Sequence, residues 1–163
     1  MIQRNHLVVG VGEFSVTHDE MRTIKTFALG SCVAVICLAP RKEMAGLLHV
    51  ALPEAKINPT MAQARPGMFA DTGIPAMLDM MVRRGCNLAE LKVKLAGGAS
   101  ILDTEQRFEI GKRNILSVKK ILWMYRLGPV AEDVGLNYSR TVTVSAETGQ
   151  VVISSPGKGE WQL

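Results

Sequence analysis

The chain has 163 residues, 47% of them hydrophobic and 21% charged, with a net charge of +4. That length and apolar content suit one domain with its own core and exclude a disordered chain or a disulfide-stapled miniature. The basic residues are scattered, with Arg83-Arg84 and Lys119-Lys120 only doublets, which argues against nucleic acid as the partner. No run approaches the roughly 18 apolar residues of a membrane span, and Met1 to His6 holds no apolar leader core, so a soluble cytoplasmic protein is expected. Cys32, Cys37 and Cys86 are odd in number and lack metal-ligand spacing, so they read as reduced thiols and no metal is expected.

Leu7 to Val16 is apolar with Gly10 and Gly12 inside, which predicts a strand with a bend. Arg22 to Thr26 alternates and predicts a short strand, broken by Leu29-Gly30-Ser31. Cys32 to Leu38 is apolar on both faces and predicts a buried central strand. Pro40 to Glu43 reads as a turn, and Leu47 to Leu52 is again apolar except for His49, so the two runs can pair as a hairpin. Pro53 to Phe69 is polar and Pro-rich and reads as a long loop.

Asp71 or Thr72 is placed to cap a helix with Pro75 in its first turn. Ile74, Met77, Leu78, Met81 and Val82 form its apolar stripe, and Gly85 ends it. Leu91 to Leu95 alternates as a strand and ends in Gly97-Gly98, and Arg107 to Ile110 suggests another short strand. Asn114 reads as the cap of a second helix carrying Ile115, Val118, Leu122 and Tyr125 on one face, stopped by Gly128-Pro129. Arg140–Val144 and Gln150–Ile153 make a final hairpin around Glu147-Thr148-Gly149. Residues 155–163 read as a mobile tail. Strands and helices do not alternate strictly. The expected fold is therefore α+β: packed β-sheets built from hairpins with two main helices outside, in a single domain over residues 1–163.

Chemistry concentrates at Cys32 and His49. Cys37 fits an ordinary core thiol, but Gly30-Ser31 before Cys32 allows a tight turn whose backbone N–H groups can face a developing oxyanion. His49 is the histidine that sits inside a core-like run, whereas His6 and His18 have polar neighbours. A thiol beside an imidazole is the minimum equipment for cysteine catalysis. In a β-hairpin the two share a face only if Cys32 pairs opposite His49 or Ala51, since a one-residue slip separates them. A base also needs an orienting partner. Thr26 is one candidate, with Asp71 and Asp103 as alternatives.

Thr26-x-Ala28-Leu29-Gly30-Ser31-Cys32-Val33-Ala34-Val35, followed by Ala45-Gly46-Leu47-Leu48-His49-x-x-Leu52-Pro53, resembles the chemoreceptor glutamine deamidase family, CheD. Phe69-Ala70-Asp71-Thr72, Lys94-Leu95-Ala96-Gly97-Gly98-Ala99 and Ile110-Gly111-Lys112-Arg113-Asn114 extend the likeness across nearly the whole chain. The chain departs from the family pattern at Ala45, usually glycine, and at Val50, usually aromatic. It also carries Gly135-Leu136-Asn137-Tyr138-Ser139-Arg140 where Gly-Gly-x-x-Gly-Arg is usual. The resemblance implies a fold similar to deamidating toxins of the cytotoxic necrotizing factor type. It implies a cytosolic enzyme that converts chemoreceptor glutamines to glutamates without a cofactor, and that binds a CheC-type phosphatase where one exists. The family's catalytic Cys, His and Thr fall on Cys32, His49 and Thr26. Gly30, Ser31, Gly97 and Gly98 are the candidate oxyanion and substrate-binding positions. Two other readings share these residues: a scaffold that binds receptors or the phosphatase without turnover, and a receptor methylesterase.

Overall fold

The computed structural model describes residues 5–19, 22–101 and 109–163. In chain order its strands begin with β1 (Asn5–Val8), β2 (Phe14–Thr17), β3 (Arg22–Leu29), β4 (Val33–Ala39) and β5 (Met44–Val50). They continue with β6 (Lys92–Gly97), β7 (Pro129–Val134), β8 (Arg140–Ser145), β9 (Val151–Ser155) and β10 (Gly159–Gln162). The α-helices are α1 (Pro59–Ala64), α2 (Ala70–Arg83) and α3 (Ile110–Met124). One sheet runs β1-β3-β8-β9-β10 and the other β2-β5-β4-β6-β7.

The expected α+β class with packed sheets and outer helices is the observed one. β4 explains the layering. It is buried at every residue, and its alternate side chains serve two cores. Val33, Val35 and Cys37 face α2 and α3, where Ile74, Met77, Met81, Val118 and Leu122 cover them. Ala34, Ile36 and Leu38 face the other sheet, against Ile24, Leu29, Val142 and Ile153. The order is sheet, sheet, helices. Among the described residues no helix is long and apolar enough to cross a membrane.

Several elements differ from the sequence expectation. The Leu7–Val16 run is two strands in different sheets, because the bend at Gly10 to Gly12 is a crossover between layers. The Pro53–Phe69 segment is largely folded: Asn58 accepts the Met61 N–H and starts α1, and Leu52 bridges Phe69. Neither Asp71 nor Thr72 caps α2. Asp71 accepts the Ala55 N–H, Thr72 donates to Pro66 O, and the helix begins at Ala70 with Pro75 inside it. Val82 lies outside the buried stripe of that helix. Asn114 lies inside α3, not at its cap. Residues 155–163 are no free tail: β10 pairs antiparallel with β9, and Lys94 Nζ donates to Leu163 O at 2.6 Å. Arg107, Phe108 and Asp103 lie outside the described residues, and Ile110 opens α3 instead of ending a strand.

Candidate active site

β4 and β5 pair with Val33 opposite Val50 and Ala34 opposite His49. Continued by one residue, that register sets Cys32 opposite Ala51. It meets the same-face condition, since Ala51 and His49 are two residues apart. Both side chains point toward the inter-sheet layer, where half-buried Cys32 packs against the apolar cluster. Diagonal neighbours of this kind stand about 7–8 Å apart in an antiparallel ladder.

His49 is buried, at 2% exposure, and its tautomer follows from its neighbours. Its Nδ1 lies 2.7 Å from Thr26 Oγ1. That hydroxyl also lies 2.7 Å from Val9 O, and a carbonyl can only accept. The single hydroxyl hydrogen therefore goes to Val9, and Thr26 accepts from His49 Nδ1–H. Nε2 is left as the bare lone pair, buried and, among the described residues, without a hydrogen-bond partner. Burial pulls the imidazole down to about 4, with the Glu13 carboxylate acting in the opposite direction. Burial pushes the Cys32 thiol up, with its own backbone N–H opposing. At neutral pH the resting pair is thus neutral thiol and neutral imidazole, not an ion pair. Cys37, enclosed in the helix-side core, is pushed up to about 12 by burial and neighbouring Cys86, which leaves it inert.

The backbone around Cys32 is held from β6. Gly98 N–H donates to Cys32 O at 2.7 Å and Ala99 N–H to Gly30 O at 2.8 Å. Gly97 has φ of +107°, and a Cβ there would lie 2.3 Å from Cys32 O. The two glycines thus let β6 close on the thiol's own peptide. Since the Gly98 N–H is occupied, it supports Cys32 and is not a free oxyanion donor. The chain bends at Gly30 and Ser31 directly before the thiol, as the sequence suggested, and upstream Ala28 takes φ of +53° where a bulge between Thr26 and Leu29 interrupts β3. Such bulges re-aim the chain beside functional sites.

Of the candidate orienting partners, Thr26 meets the imidazole and Asp71 does not. Sequence reasoning passed over two residues. Glu13 lies on the crossover, hydrogen-bonded through its backbone oxygen to His49 N–H at 3.0 Å. Asn114 donates to Ser31 O at 2.9 Å and Ala51 O at 3.0 Å. The second had a visible signal, a polar side chain where helical spacing calls for a core position. Among the described residues no three His, Cys or carboxylate groups converge on a metal-ligand cluster.

The model of the family described as CheD, chemotactic sensory transduction, matches residues 51–155. A protein of Syntrophotalea carbinolica named a probable chemoreceptor glutamine deamidase CheD is 51% identical, over 96% of this chain and 98% of its own. The chemoreceptor glutamine deamidase CheD of Thermotoga maritima is 35% identical over 94% of each chain. That of Bacillus subtilis is 34% identical over 85% of this chain and 84% of its own. Among solved structures, the hypothetical protein YfiH of Bacillus licheniformis aligns with a TM-score of 0.48 at 18% identity, over 76% of this chain and 51% of that one.

Proposed function

The chain belongs to the CheD family, and from that premise we propose that it is a cysteine-dependent deamidase of chemoreceptor glutamines, working in the cytoplasm. The observation that carries this reading is the buried, unprotonated Nε2 of His49, unpartnered among the described residues and fixed by Thr26 on the strand face that Cys32 shares.

Cys32 is the nucleophile and His49 the general base. Because both rest neutral, the proton moves when the substrate arrives: Sγ–H passes to Nε2 as sulfur bonds to the glutamine side-chain carbonyl carbon. Catalytic hydrogen bonds are often long before substrate binds, so the thiol closes on Nε2 in the complex. The N–H groups of Ser31 and Cys32 receive the oxyanion, a donor of this type being worth roughly 3–4 kcal/mol. His49 then gives its proton to the departing nitrogen, and ammonia leaves a thioester. Water attacks that thioester, loses a proton to Nε2, and the proton returns to sulfur as glutamate is released. Thr26 touches no reacting atom and is a positioning residue. A CheC-type phosphatase is the expected regulatory partner.

The test incubates a receptor cytoplasmic fragment with the wild type and with Cys32→Ala, then maps peptides by mass spectrometry. Glutamine-to-glutamate conversion by the wild type and none by the variant is expected. No conversion by the wild type sinks the reading, loss of receptor methyl groups replaces it with an esterase, and undiminished conversion by Cys32→Ala removes the nucleophile.

A further inference from the structure

α3 presents one edge to the catalytic strands. Gly111 comes close enough to β6 that a Cβ would lie 2.5 Å from Gly98 O. Three residues on, the Asn114 amide donates to Ser31 O and Ala51 O. Three further on, Ser117 Oγ donates to Pro53 O at 2.7 Å. This spacing puts all three on one helix face. They read backbone oxygens at the end of β6, the start of β4 and the exit of β5.

Asn114 stands at the critical point. The β4–β5 ladder ends at Val33 and Val50. The next opposed pair is Cys32 and Ala51, and Asn114 takes over there with side-chain bonds to Ser31 O and Ala51 O. Two carbonyls demand two donors, so the orientation of the amide is forced. Its Oδ1 is consequently turned to a place where it has no partner among the described residues, although the residue is 0% exposed. An orphaned buried acceptor costs stability and calls for an explanation. Holding two chain ends apart at a set distance is one that an apolar residue could not supply.

We infer that Asn114 is a positioning residue for Cys32, clamping the start of β4 to the end of β5 so that the thiol stands at a fixed distance from His49. The catalytic half of this inference rests on the deamidase reading; the thiol half does not. Without the clamp, the Ser31–Cys32 peptide loosens, water reaches sulfur, and the thiol becomes easier to ionise but is no longer aimed at Nε2. Reactivity toward a small electrophile and turnover therefore move in opposite directions.

The experiment uses the full chain carrying Asn114→Ala. Iodoacetamide labelling of Cys32, Cys37 and Cys86 is followed by mass spectrometry from about pH 6 to 11, from below the ordinary thiol range to well above it. In parallel, kcat and KM are measured on a receptor fragment. Cys32 should label several-fold faster at neutral pH, with its pH midpoint lowered, while buried Cys37 and Cys86 stay protected. The kcat should fall by about 10- to 100-fold, the range seen when a supporting contact is lost, with KM little changed. A folded variant whose Cys32 labels like the wild type overturns the inference, as does an unchanged kcat. If all three cysteines label together the variant has unfolded, and Asn114→Ser decides by the same readouts, since one hydroxyl hydrogen cannot serve two carbonyls. Should the wild type convert no glutamine while Cys32 labelling still shifts, the clamp stands and the deamidase reading falls.

Discussion

Two of the places where polar side chains link the two sheets are finished differently. At one, Arg140 of β8 donates through Nε to Asp133 Oδ1 of β7 at 2.9 Å, and Trp161 of β10 donates to Asp133 Oδ2 at 2.6 Å. Arg140 also donates to Gly135 O at 3.0 Å and stacks 4.2 Å over the Tyr138 ring. Both carboxylate oxygens are spent within the protein, and Arg140 Nη2, which makes no hydrogen bond among the described residues, is ion-paired 2.8 Å from Asp133 Oδ1. At the other, Thr26 of β3 meets His49 of β5, and among the described residues the chain of bonds stops at Nε2. A buried polar cluster closed on itself can only hold the fold. One left open at a basic atom on the strand face that a thiol shares is a candidate functional site.

The sharpest way to test this contrast is to remove the open end. His49→Gln keeps a polar side chain but no base, and deamidation should fall at least about a thousandfold, some 4 kcal/mol of barrier. The same variant reports on stability. The folded protein holds the ring at about 4 against 6.5 ordinarily. Between those values the unfolded chain binds a proton that the folded chain refuses. Stability is therefore whole above pH 6.5 and falls by about 3 kcal/mol as pH drops to 4. Denaturant titrations at pH 7 and pH 4 should show a smaller acid loss in His49→Gln than in the wild type, by that amount. Equal losses would mean that the ring is not held neutral.

Breaking the closed cluster should give the opposite pattern. Arg140→Met leaves Asp133 without its charge partner, and removing one member of a buried pair costs roughly 3–5 kcal/mol. For a domain of this size the melting temperature should fall by about 10 °C. At a temperature where the variant is folded, kcat should match the wild type. A large loss of kcat there would tie the cluster to catalysis and erase the distinction.

The closed cluster was also the harder of the two to read from sequence. Cys32 stands out because Gly30-Ser31 precedes it at the head of an apolar run and His49 because it interrupts one, and period-two geometry converts their spacing into a register condition that the β4–β5 pairing meets. Thr26 followed from the family likeness and lies on a strand of the other sheet, a contact that no local pattern encodes. The Asp133–Arg140–Trp161 contacts depend on β7 and β10, and both strands escaped notice. β7 is a half-exposed parallel edge strand whose register breaks near its start. β10 opens at Gly159 after Gly157-Lys158, a stretch that reads as tail until β9 offers it an edge. Asn114 was misplaced because asparagine favours caps, and the helix starts instead after Glu109 in a left-handed conformation.

A smaller effect separates holding the ring from holding the fold. Thr26→Val matches volume but neither donates to Val9 O nor accepts from Nδ1–H. Stability should drop by about 1–3 kcal/mol from the two unpaired groups. The kcat should fall by about 10- to 100-fold, since the preferred tautomer is no longer fixed. Thr26→Ser should restore most of the kcat, whereas a purely structural role would be rescued in stability alone.

The smallest change concerns the loop beside the closed cluster. Leu136 has φ of +59° directly after Gly135 at +77°, in the stretch where the family pattern carries two glycines. A left-handed leucine costs roughly 1–2 kcal/mol. At 68% exposure its side chain gives little burial back. Leu136→Gly relieves that strain but adds backbone freedom to the unfolded chain, worth roughly 0.5–1 kcal/mol against it. The balance is a gain below about 1 kcal/mol, read as a slightly higher denaturation midpoint with the slope unchanged. The loop backbone accepts Arg140 Nη1–H at Gly135 and the Ser100 N–H at Leu136. A glycine that keeps the present conformation preserves both bonds, so kcat should not move. A stability loss with Leu136→Gly would mean that the leucine side chain has a packing role which outweighs its strained backbone.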